Sequence, residues 1–351
     1  MSFSREIIHW YRANKRALPW RETNDPYCIW LSEVILQQTR VAQGTPYYFK
    51  FLKAFPTVFD LANASEEAVL KLWQGLGYYS RARNLHAAAQ YVAFELNGAF
   101  PSTYKELLAL KGVGDYTASA IASICFNAPE AVLDGNVFRV LSRYLGEETP
   151  INTPQGIKLF KNLASAYIDP QHPSEYNQGI MEFGALQCTP KNPNCGACPL
   201  MDSCVAFQTQ QFHVLPKKLP KTKAVKLFHD YFVILDPKGK TLYNKRVGKG
   251  IWEGLYEFPL LVSQVPLALN TLLENISATL EDSLDFDRAK VFSFHDQAVV
   301  HKLTHRHIHA RFWILETTSE LSKGLPFSEI EAFPTTVLIS DFINAFKNSY
   351  F

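Results

Sequence analysis

The segment LLALKGVGDYTA, residues 107–118, places two glycines between two apolar stretches that are predicted to be helices. Gly112 and Gly114 let backbone amides approach a ligand closely, and the N-terminus of the helix that follows favours an anion. A phosphate bound there would be held without any base being read. An ordinary tight turn between two helices explains the same residues, so this segment alone leaves both interpretations open.

A second pattern follows downstream, where four of the six cysteines lie within 17 residues. They are Cys188, Cys195, Cys198 and Cys204, spaced C-x6-C-x2-C-x5-C. Four thiolates in so short a loop can close around one metal centre, but structural zinc usually takes its ligands from two short pairs separated by a longer arm. This loop has only one such pair, which leaves an iron–sulfur centre, zinc and unligated thiols as alternatives.

Residues 1–207 are predicted to be nearly all helical. Asp25-Pro26, Ser65 and Thr153-Pro154 each place a capping side chain before an apolar run of helical spacing. Residues 208–226 carry two prolines and five lysines without periodicity, which predicts a linker. The five lysines are Lys217, Lys218, Lys221, Lys223 and Lys226. They could follow a phosphate backbone or simply form a solvated connector.

The chain after the linker has the pattern of an α+β domain. Residues 229–235 and 240–245 flank the turn Asp236–Gly239 and predict a hairpin. Residues 267–280 have helical spacing, and residues 309–317 alternate like a strand.

Composition excludes several classes of protein. With 47% hydrophobic residues the chain is globular, and no stretch approaches the roughly 20 apolar residues of a membrane span. The first ten residues lack the apolar run of a signal peptide, so we expect a cytosolic protein with reduced thiols, in which Cys28 and Cys125 are core residues. Residues 1–225 hold 22 basic and 18 acidic residues (+4), and residues 226–351 hold 13 and 15 (−2). A polyanion would therefore meet mainly the first part.

Two carboxylates stand out. Glu33 lies in the apolar run IWLSEVILQQ, where burial would raise its pKa toward that of a general acid, although pairing with Arg40 or a place on the helix edge is an alternative. Asp134 precedes the helix of VLDGNVFRVLSR and could simply be its N-cap.

Taken together, these patterns resemble a known enzyme family. The hairpin and the 6-2-5 cysteine loop resemble the endonuclease III and MutY superfamily of DNA glycosylases. Five motifs, the hairpin among them, resemble adenine DNA glycosylases in particular. These motifs are LPWR (Leu18–Arg21), SEVILQQTRV (Ser32–Val41), GLGYYSRARNLHAAA (Gly75–Ala89), GVGDYTA (Gly112–Ala118) and LDGNVFRVLSR (Leu133–Arg143). The match spans residues 16–207, and it implies that the cysteine loop holds a [4Fe–4S] cluster that folds a basic loop with Lys191 and takes no part in the chemistry.

The resemblance also implies roles for the two carboxylates. Glu33 would protonate N7 of adenine and then handle the water, while Asp134 would stabilise the oxocarbenium-like sugar, covalently or not, and Asn136 would position the aspartate or the water. Endonuclease III has a lysine where this chain has Tyr116, and a tyrosine cannot form a Schiff base. The expected enzyme is therefore a monofunctional glycosylase.

Further residues are assigned by the same resemblance. The adenine pocket would be lined by Arg16, Trp20, Arg21, Leu36 and Gln178. The residues that enter the duplex beside the opposing 8-oxoguanine would be Gln38, Thr39, Leu76 and Tyr78. Helix core is the alternative for Trp20, Leu76 and Tyr78.

The C-terminal domain resembles the Nudix-like domain of the same family, yet residues 254–282 lack the Gly-x5-Glu and paired glutamates that gather magnesium in Nudix hydrolases. We therefore expect it to recognise 8-oxoguanine without hydrolysis, through Thr304 and His305, where the family often has Phe-Ser-His. His305, His307 and His309 alternate along a predicted strand, and metal binding is the competing interpretation.

The expected fold is multi-domain. An all-α helix-hairpin-helix glycosylase domain with a [4Fe–4S] loop would span 1–207, divided into a six-helix region of about 23–133 and an iron–sulfur region formed by 1–22 and 134–207. A linker over 208–226 would lead to the α+β Nudix-like domain over 227–351. The expected partner is double-stranded DNA containing A:8-oxoguanine or A:G mispairs, bound by a monomer with no membrane association in the bacterial cytoplasm, at the nucleoid. The alternatives are an oxidised-pyrimidine glycosylase with lyase activity and a catalytically silent DNA-binding protein.

Overall fold

The computed structural model describes residues 2–220, 224–280 and 289–350. The chain forms two compact units, and the division does not follow the sequence order. One unit combines Met1–Ala64 with Arg83–Pro220, and the other combines Ser65–Ala82 with Lys221–Phe351. A short helical segment from the first third of the sequence thus belongs to the C-terminal unit.

Helices make up the described part of the chain before Val225, and this confirms the predicted all-α half. They are α1 (Phe3–Asn14), α2 (Pro26–Leu36), α3 (Val41–Ala54), α4 (Val58–Asn63), α5 (Glu66–Trp73), α6 (Ser80–Gln90), α7 (Tyr104–Leu108), α8 (Asp115–Phe126), α9 (Gly135–Leu145), α10 (Pro154–Tyr167), α11 (Pro173–Leu186) and α12 (Val205–Gln208).

The predicted helix starts are the observed ones, because local capping fixes them. The side chain of Asp25 accepts a hydrogen bond from Tyr27 N, Ser65 from Ala68 N and Thr153 from Gly156 N. Each bond satisfies an amide that the first turn of a helix leaves without a partner.

In the first unit, the apolar face of α1 packs against α11. Ile7 and Phe183 are almost fully buried in the core that these helices share with α9 and α10. Gly179 and Gly184 let α11 approach closely: a Cβ on Gly184 would lie 2.6 Å from Cβ of Asn136. Helix α11 is therefore held tightly against the start of α9.

The second unit is built on two long, parallel strands, β1 (Val225–Leu235) and β8 (Arg306–Glu316), with Tyr231 opposite Phe312. Strands β2 (Lys240–Thr241) and β5 (Leu260–Ser263) pair antiparallel with β1, while β6 (Lys290–Ser293) and β7 (Val299–Lys302) pair antiparallel with β8. Strand β9 (Leu325–Pro326) pairs with β2, and β3 (Asn244–Lys245) pairs with β4 (Tyr256–Glu257) in a separate small sheet. Helices α13 (Leu269–Ser277) and α14 (Val337–Tyr350) complete this α+β unit.

Several boundaries in this unit differ from the prediction, including those of β8, which spans Arg306–Glu316 and not 309–317. The hairpin pairs Leu235 with Thr241, but its second strand ends there, because Asn244 and Lys245 pair with Tyr256–Glu257 instead. Helix α13 is shorter than 267–280. Strand β1 begins at Val225, inside the predicted linker, because β8 supplies partners for its backbone from Arg306 onward.

The linker prediction also needs correction between residues 208 and 220, which pack on the first unit. Leu215 is buried and its carbonyl oxygen accepts a hydrogen bond from Arg143 Nε at 3.1 Å. Ile151 N donates to the carbonyl of Lys217 at 3.0 Å. Lys217 pairs with Glu148 at 2.5 Å, so its charge is already compensated. Lys221 and Lys223 lie outside the described residues.

Within the described ranges, no helix is both long enough and apolar enough to cross a membrane.

Candidate active site

The helix-hairpin-helix segment forms one wall of a cavity in the first unit. Gly112 has φ 79° and a Cβ there would lie 2.6 Å from Cβ of Asn84, so a side chain is excluded both by the backbone conformation and by space. Gly114 is the N-cap of α8, and the space where its Cβ would lie is open. A ligand can therefore approach the backbone at Gly114, and binding of an anion by the amides at the start of α8 stays a prediction.

The cavity measures about 1280 Å³ and brings together most of the predicted site residues of this unit. Those that line it are Arg16, Trp20, Arg21, Glu33, Leu36, Gln38, Thr39, Gly112, Gly114, Tyr116, Asp134 and Asn136. They come from the segment before α2, from α2 and the turn that follows it, from the hairpin with the first turn of α8, and from the start of α9, so the site is assembled from parts distant in sequence.

Glu33 lies on the buried face of α2 and is only 8% exposed. Burial raises the pKa of Glu33 from 4.5 to about 7; a hydrogen bond with Tyr116 opposes this shift, the charge of Asp134 adds to it and that of Arg21 opposes it. A carboxyl group with this pKa is about half protonated at neutral pH, which suits a group that must deliver a proton.

Asp134 is the N-cap of α9 and also lines the cavity. Its role as a helix cap is therefore compatible with a role in the candidate active site. Its Oδ1 accepts hydrogen bonds from Asn136 N at 2.9 Å and Val137 N at 2.8 Å, and its Oδ2 accepts one from Asn136 Nδ2 at 2.8 Å. Burial raises the pKa of Asp134, while these three donors favour the charged form. The carboxylate is held in one orientation at the positive end of a helix.

Arg139 connects this capping group to the cysteine loop. Its Nη2 donates to Oδ1 of Asn136 at 2.9 Å and to the carbonyl of Gly184 at 2.5 Å, and its Nε donates to the carbonyl of Cys188 at 2.7 Å. The side chain is buried, since Arg139 is only 8% exposed. The orientation of Asn136 therefore depends on where the backbone of Cys188 lies.

Tyr116 points into the cavity from the first turn of α8. Its hydroxyl donates to Sδ of Met181 at 3.2 Å and also interacts with the carboxyl group of Glu33. Burial and the nearby carboxylates, Glu33 first, raise the pKa of Tyr116 well above 10. The phenol stays neutral and is available as a hydrogen-bond donor.

One prediction for the cavity is corrected, and one residue was missed. Gln178 does not line the cavity: its amide accepts from Tyr11 Oη at 3.1 Å and donates to Ser174 Oγ at 3.2 Å. One turn later on α11, Glu182 lines it and is 1% exposed. Glu182 occupies the place predicted for Gln178 because the two residues are four positions apart. Positions one turn apart share a helix face but reach different places along it.

Glu182 fixes both arginines of the cavity. Arg16 binds it through Nε and Nη2, each at 2.7 Å, and Arg21 binds it at 3.1 and 2.9 Å. Burial opposes ionisation, but these hydrogen bonds lower the pKa of Glu182 to about 2. The sequence offered one signal for Glu182, which is an acidic residue on the apolar face of a helix.

The four loop cysteines line a second, apolar cavity together with Tyr144, Phe183, Leu200, Phe207 and Phe212. Within the described residues, no three His, Cys, Asp or Glu side chains converge on a point that would hold one metal ion. An apolar cavity lined by four thiols suits a [4Fe–4S] cluster, in which each cysteine binds a different iron. Arg143 Nη1 donates to Cys188 Sγ at 3.3 Å, an interaction of the kind that adjusts the electronic properties of such clusters.

The predicted contacts of the second unit lie on two neighbouring loops. Leu76 is buried, whereas the ring of Tyr78 is half exposed and its hydroxyl lies 3.0 Å from Oγ1 of Thr304. His305 is exposed at the turn between β7 and β8. His309 stacks on Phe228, with ring centroids 5.1 Å apart.

Two of the predicted DNA contacts have unusual backbones. Gln38 has φ 56° and Tyr78 has φ 48°, in the left-handed region that side chains other than glycine seldom adopt. Such strain is retained where the surrounding structure imposes it, and it is common at functional sites.

Comparison with known proteins identifies the class of protein to which this chain belongs. Residues 31–164 match the HhH-GPD superfamily of base excision DNA repair proteins, residues 188–204 match the iron–sulfur binding domain of endonuclease III, and residues 230–345 match the NUDIX domain. The structure of a thermostable thymine-DNA glycosylase is similar, with a TM-score of 0.55 and 29% identity over 59% of this chain and 95% of that one. A non-covalent endonuclease III–DNA complex has a TM-score of 0.51 at 22% identity, which shows the fold alone. The chain thus has the architecture of the helix-hairpin-helix glycosylases of base excision repair with a [4Fe–4S] loop.

Curated relatives narrow the class to a family. Adenine DNA glycosylases of Buchnera aphidicola are 38% identical over 75% of this chain and 74% of the relative, and 33% identical over 88% and 85%. That of Mus musculus is 45% identical over 60% of this chain and 42% of the relative. The chain belongs to the adenine DNA glycosylase family, and so to the DNA N-glycosylases.

Proposed function

We propose that this chain binds duplex DNA and hydrolytically removes adenine mispaired with 8-oxoguanine, and more weakly adenine mispaired with guanine. One observation carries the chemical part of the proposal. Glu33, with a pKa of about 7, and Asp134, held by three hydrogen bonds, line the same cavity.

The cavity accepts a nucleotide that has left the stack. Adenine in a duplex is not reachable at its glycosidic bond, so a glycosylase of this kind rotates the nucleotide into a pocket. The Glu182–Arg16–Arg21 group offers fixed donors and acceptors at the wall of this cavity, and Trp20 and Leu36 offer apolar surface. The amides around Gly112 and Gly114 bind the DNA backbone without reading sequence.

Glu33 supplies the proton. Adenine is a poor leaving group as an anion, so protonation at N7 must accompany cleavage of the bond. Burial keeps a large fraction of Glu33 protonated near neutral pH, although its hydrogen bond with Tyr116 favours the charged form. Once the base has left, the glutamate accepts a proton from the incoming water.

Asp134 faces the positive charge that develops on the sugar. The three donors to its oxygens favour the ionised form, which stabilises an oxocarbenium-like transition state or forms a bond to the sugar. Asn136 holds the aspartate directly, and Arg139 holds Asn136.

The reaction ends at an abasic site. At the hairpin position where endonuclease III has a lysine, this chain has Tyr116, which has no amine to attack the sugar. The cysteine loop, with Cys188, Cys195, Cys198 and Cys204 as the ligands, serves to fold the chain.

The second unit reads the opposing base. Thr304 offers a hydroxyl and His305 an imidazole at an exposed turn, next to the strained and exposed Tyr78. Leu76 of the same unit is also assigned to the duplex. Gln38 and Thr39, which belong to the first unit, are assigned to it separately.

A single-turnover assay tests the whole proposal. Duplexes that differ only in the base opposite adenine are incubated with excess holoprotein, and adenine release is measured beside borohydride trapping. We expect release to be faster opposite 8-oxoguanine than opposite guanine, with no trapped adduct. DNA binding without adenine release would favour the silent binding protein, and an efficient adduct would favour the lyase.

A further inference from the structure

The C-terminal unit contains a segment that its place in the sequence does not predict. Residues Ser65–Ala82 join Lys221–Phe351 in one compact unit. This segment holds α5 and the loop Gly75–Tyr78, to which we assign contacts with the duplex.

Two side chains from this segment form hydrogen bonds with the backbone of one residue, Thr335, in the C-terminal part of the chain. Oε1 of Gln74 accepts from Thr335 N at 3.3 Å, and the hydroxyl of Tyr79 donates to the carbonyl oxygen of Thr335 at 3.0 Å. Both polar backbone groups of Thr335 are thus bound by residues on either side of the loop. Thr335 is itself fixed, because it is 2% exposed and its hydroxyl donates to the carbonyl of Tyr256 at 2.8 Å.

Neighbouring contacts make this attachment rigid. Lys71 Nζ donates to the carbonyl of Glu331 at 2.5 Å and to that of Phe333 at 3.3 Å, just before Thr335. On the other side, the hydroxyl of Tyr256 donates to Glu67 at 2.8 Å. Helix α5 is therefore held along its length.

The loop between Gln74 and Tyr79 has little freedom of its own. Trp73 Nε1 donates to the carbonyl of Gly77 at 3.0 Å, and Arg81 Nη2 donates to the carbonyls of Leu76 and Gly77 at 3.3 and 3.2 Å. At its tip, the strained Tyr78 reaches Thr304. Displacement of Gln74 or Tyr79 relative to Thr335 would therefore move Tyr78 relative to Thr304.

We propose that Gln74 and Tyr79 are positioning residues for discrimination of the base opposite adenine: through Thr335 they fix the distance between Tyr78 and the turn at Thr304. They touch neither base, and act by keeping two reading elements in one arrangement. The inference rests on the proposed function and deepens it.

The variants Tyr79→Phe and Gln74→Met test this, because each keeps the shape of the side chain and removes its hydrogen bond to Thr335. We measure adenine release from A:8-oxoguanine and A:G duplexes at low and at saturating concentrations of holoprotein. The ratio of the two rates at low concentration is expected to fall about three- to tenfold in each variant, the value of one hydrogen bond. The rate on A:8-oxoguanine at saturation is expected to stay within about twofold, since the bond-breaking residues are untouched.

Tyr27→Phe is the matched control. Tyr27 is equally buried and its hydroxyl donates to the carbonyl of Phe55 at 2.7 Å, in the other unit. The ratio should not change in this variant. A similar fall in the control, or an unchanged ratio in both Tyr79→Phe and Gln74→Met, overturns the inference.

A double variant locates the effect. The double variant Tyr79→Phe/Thr304→Ala should lose no more selectivity for 8-oxoguanine over guanine than Thr304→Ala alone. Both changes disturb the same placement of Tyr78 next to Thr304, so their effects should not add. Additive losses overturn the coupling through Thr304. Absence of adenine release by the wild-type chain would instead defeat the proposed function, so the two failures are distinguishable.

Discussion

Asn136 and Cys188 are joined by one side chain: the guanidinium of Arg139 donates to Oδ1 of Asn136 at 2.9 Å and to the carbonyl of Cys188 at 2.7 Å. Asn136 in turn binds both carboxylate oxygens of Asp134. The ligand loop of the cluster and the anion of the candidate active site are therefore connected by three consecutive hydrogen-bonded contacts.

Replacement of Arg139 should affect both ends of this connection. Arg139→Gln removes the donors to Cys188 and Gly184 and leaves buried carbonyl oxygens unpaired, at a cost of roughly 3 kcal/mol in the free energy of unfolding. We expect slower adenine release and a reduced iron content per chain. Arg12→Gln is the control, because Arg12 lies on the surface and pairs with Glu175. Full iron content together with wild-type excision would contradict the connection.

Loss of the proton donor should stop the chemistry and leave the fold intact. In Glu33→Gln, single-turnover excision is expected to fall by about 10²-fold or more, the usual contribution of general acid catalysis. The wild-type rate should fall as pH rises through about 7, the pKa of Glu33, because the protonated form is then lost. Glu148→Gln, at an exposed site, should keep the wild-type profile. A flat profile across neutral pH would exclude Glu33 as the titrating acid.

The same pKa predicts a change in stability. Glu33 has a pKa of about 7 in the folded chain and 4.5 as a free group, so its contribution to stability is fully present below pH 4.5 and is lost as pH rises through 7. Glu33→Gln does not titrate and should be more stable than wild type at pH 8, by about 3 kcal/mol, but equally stable at pH 4. Urea unfolding at both pH values measures this difference. A variant less stable than wild type at pH 8 would show that the ionised glutamate is well accommodated.

A lysine at position 116 should change the reaction. In Tyr116→Lys the buried amine lies beside Glu33 and the sugar site, and its pKa should be depressed by burial, so a nucleophilic neutral fraction exists. We expect a borohydride-trapped DNA adduct that the wild-type chain does not form. Tyr116→Phe is the matched control and should form none. Trapping by the wild type would refute the monofunctional assignment.

Glu182 and Gln178 provide a direct comparison on one helix. Glu182→Gln removes the charge that holds Arg16 and Arg21, and should weaken substrate binding and slow excision by about tenfold or more, since two partly buried cations lose their partner. Gln178→Met, outside the cavity, should change excision by less than about twofold, as expected of a residue remote from the chemistry. Equal losses in both variants would contradict the placement of Gln178 away from the base.

The helix starts and the cysteine loop could be predicted from the sequence, because each depends on interactions within a short segment. Asp25, Ser65, Thr153 and Asp134 begin helices because a capping side chain acts within one turn, and the 6-2-5 cysteine loop is likewise a property of a short segment. The strand ends in the C-terminal unit were predicted less well. Val225 and Thr241 mark the limits of pairing with partners far away in sequence, which no local pattern specifies.

The residue types of the site, the helix starts and the family resemblance can all be read from short segments of the chain. The burial of Glu33 beside the charge of Asp134, the pairing of Glu182 and not Gln178 with the arginines, and the bonds from Gln74 and Tyr79 to Thr335 become visible in the folded chain alone. A capping bond or a metal-ligand spacing is complete within a few residues. A pKa, a buried ion pair or a contact between distant segments depends on which surfaces the whole chain brings together and removes from water.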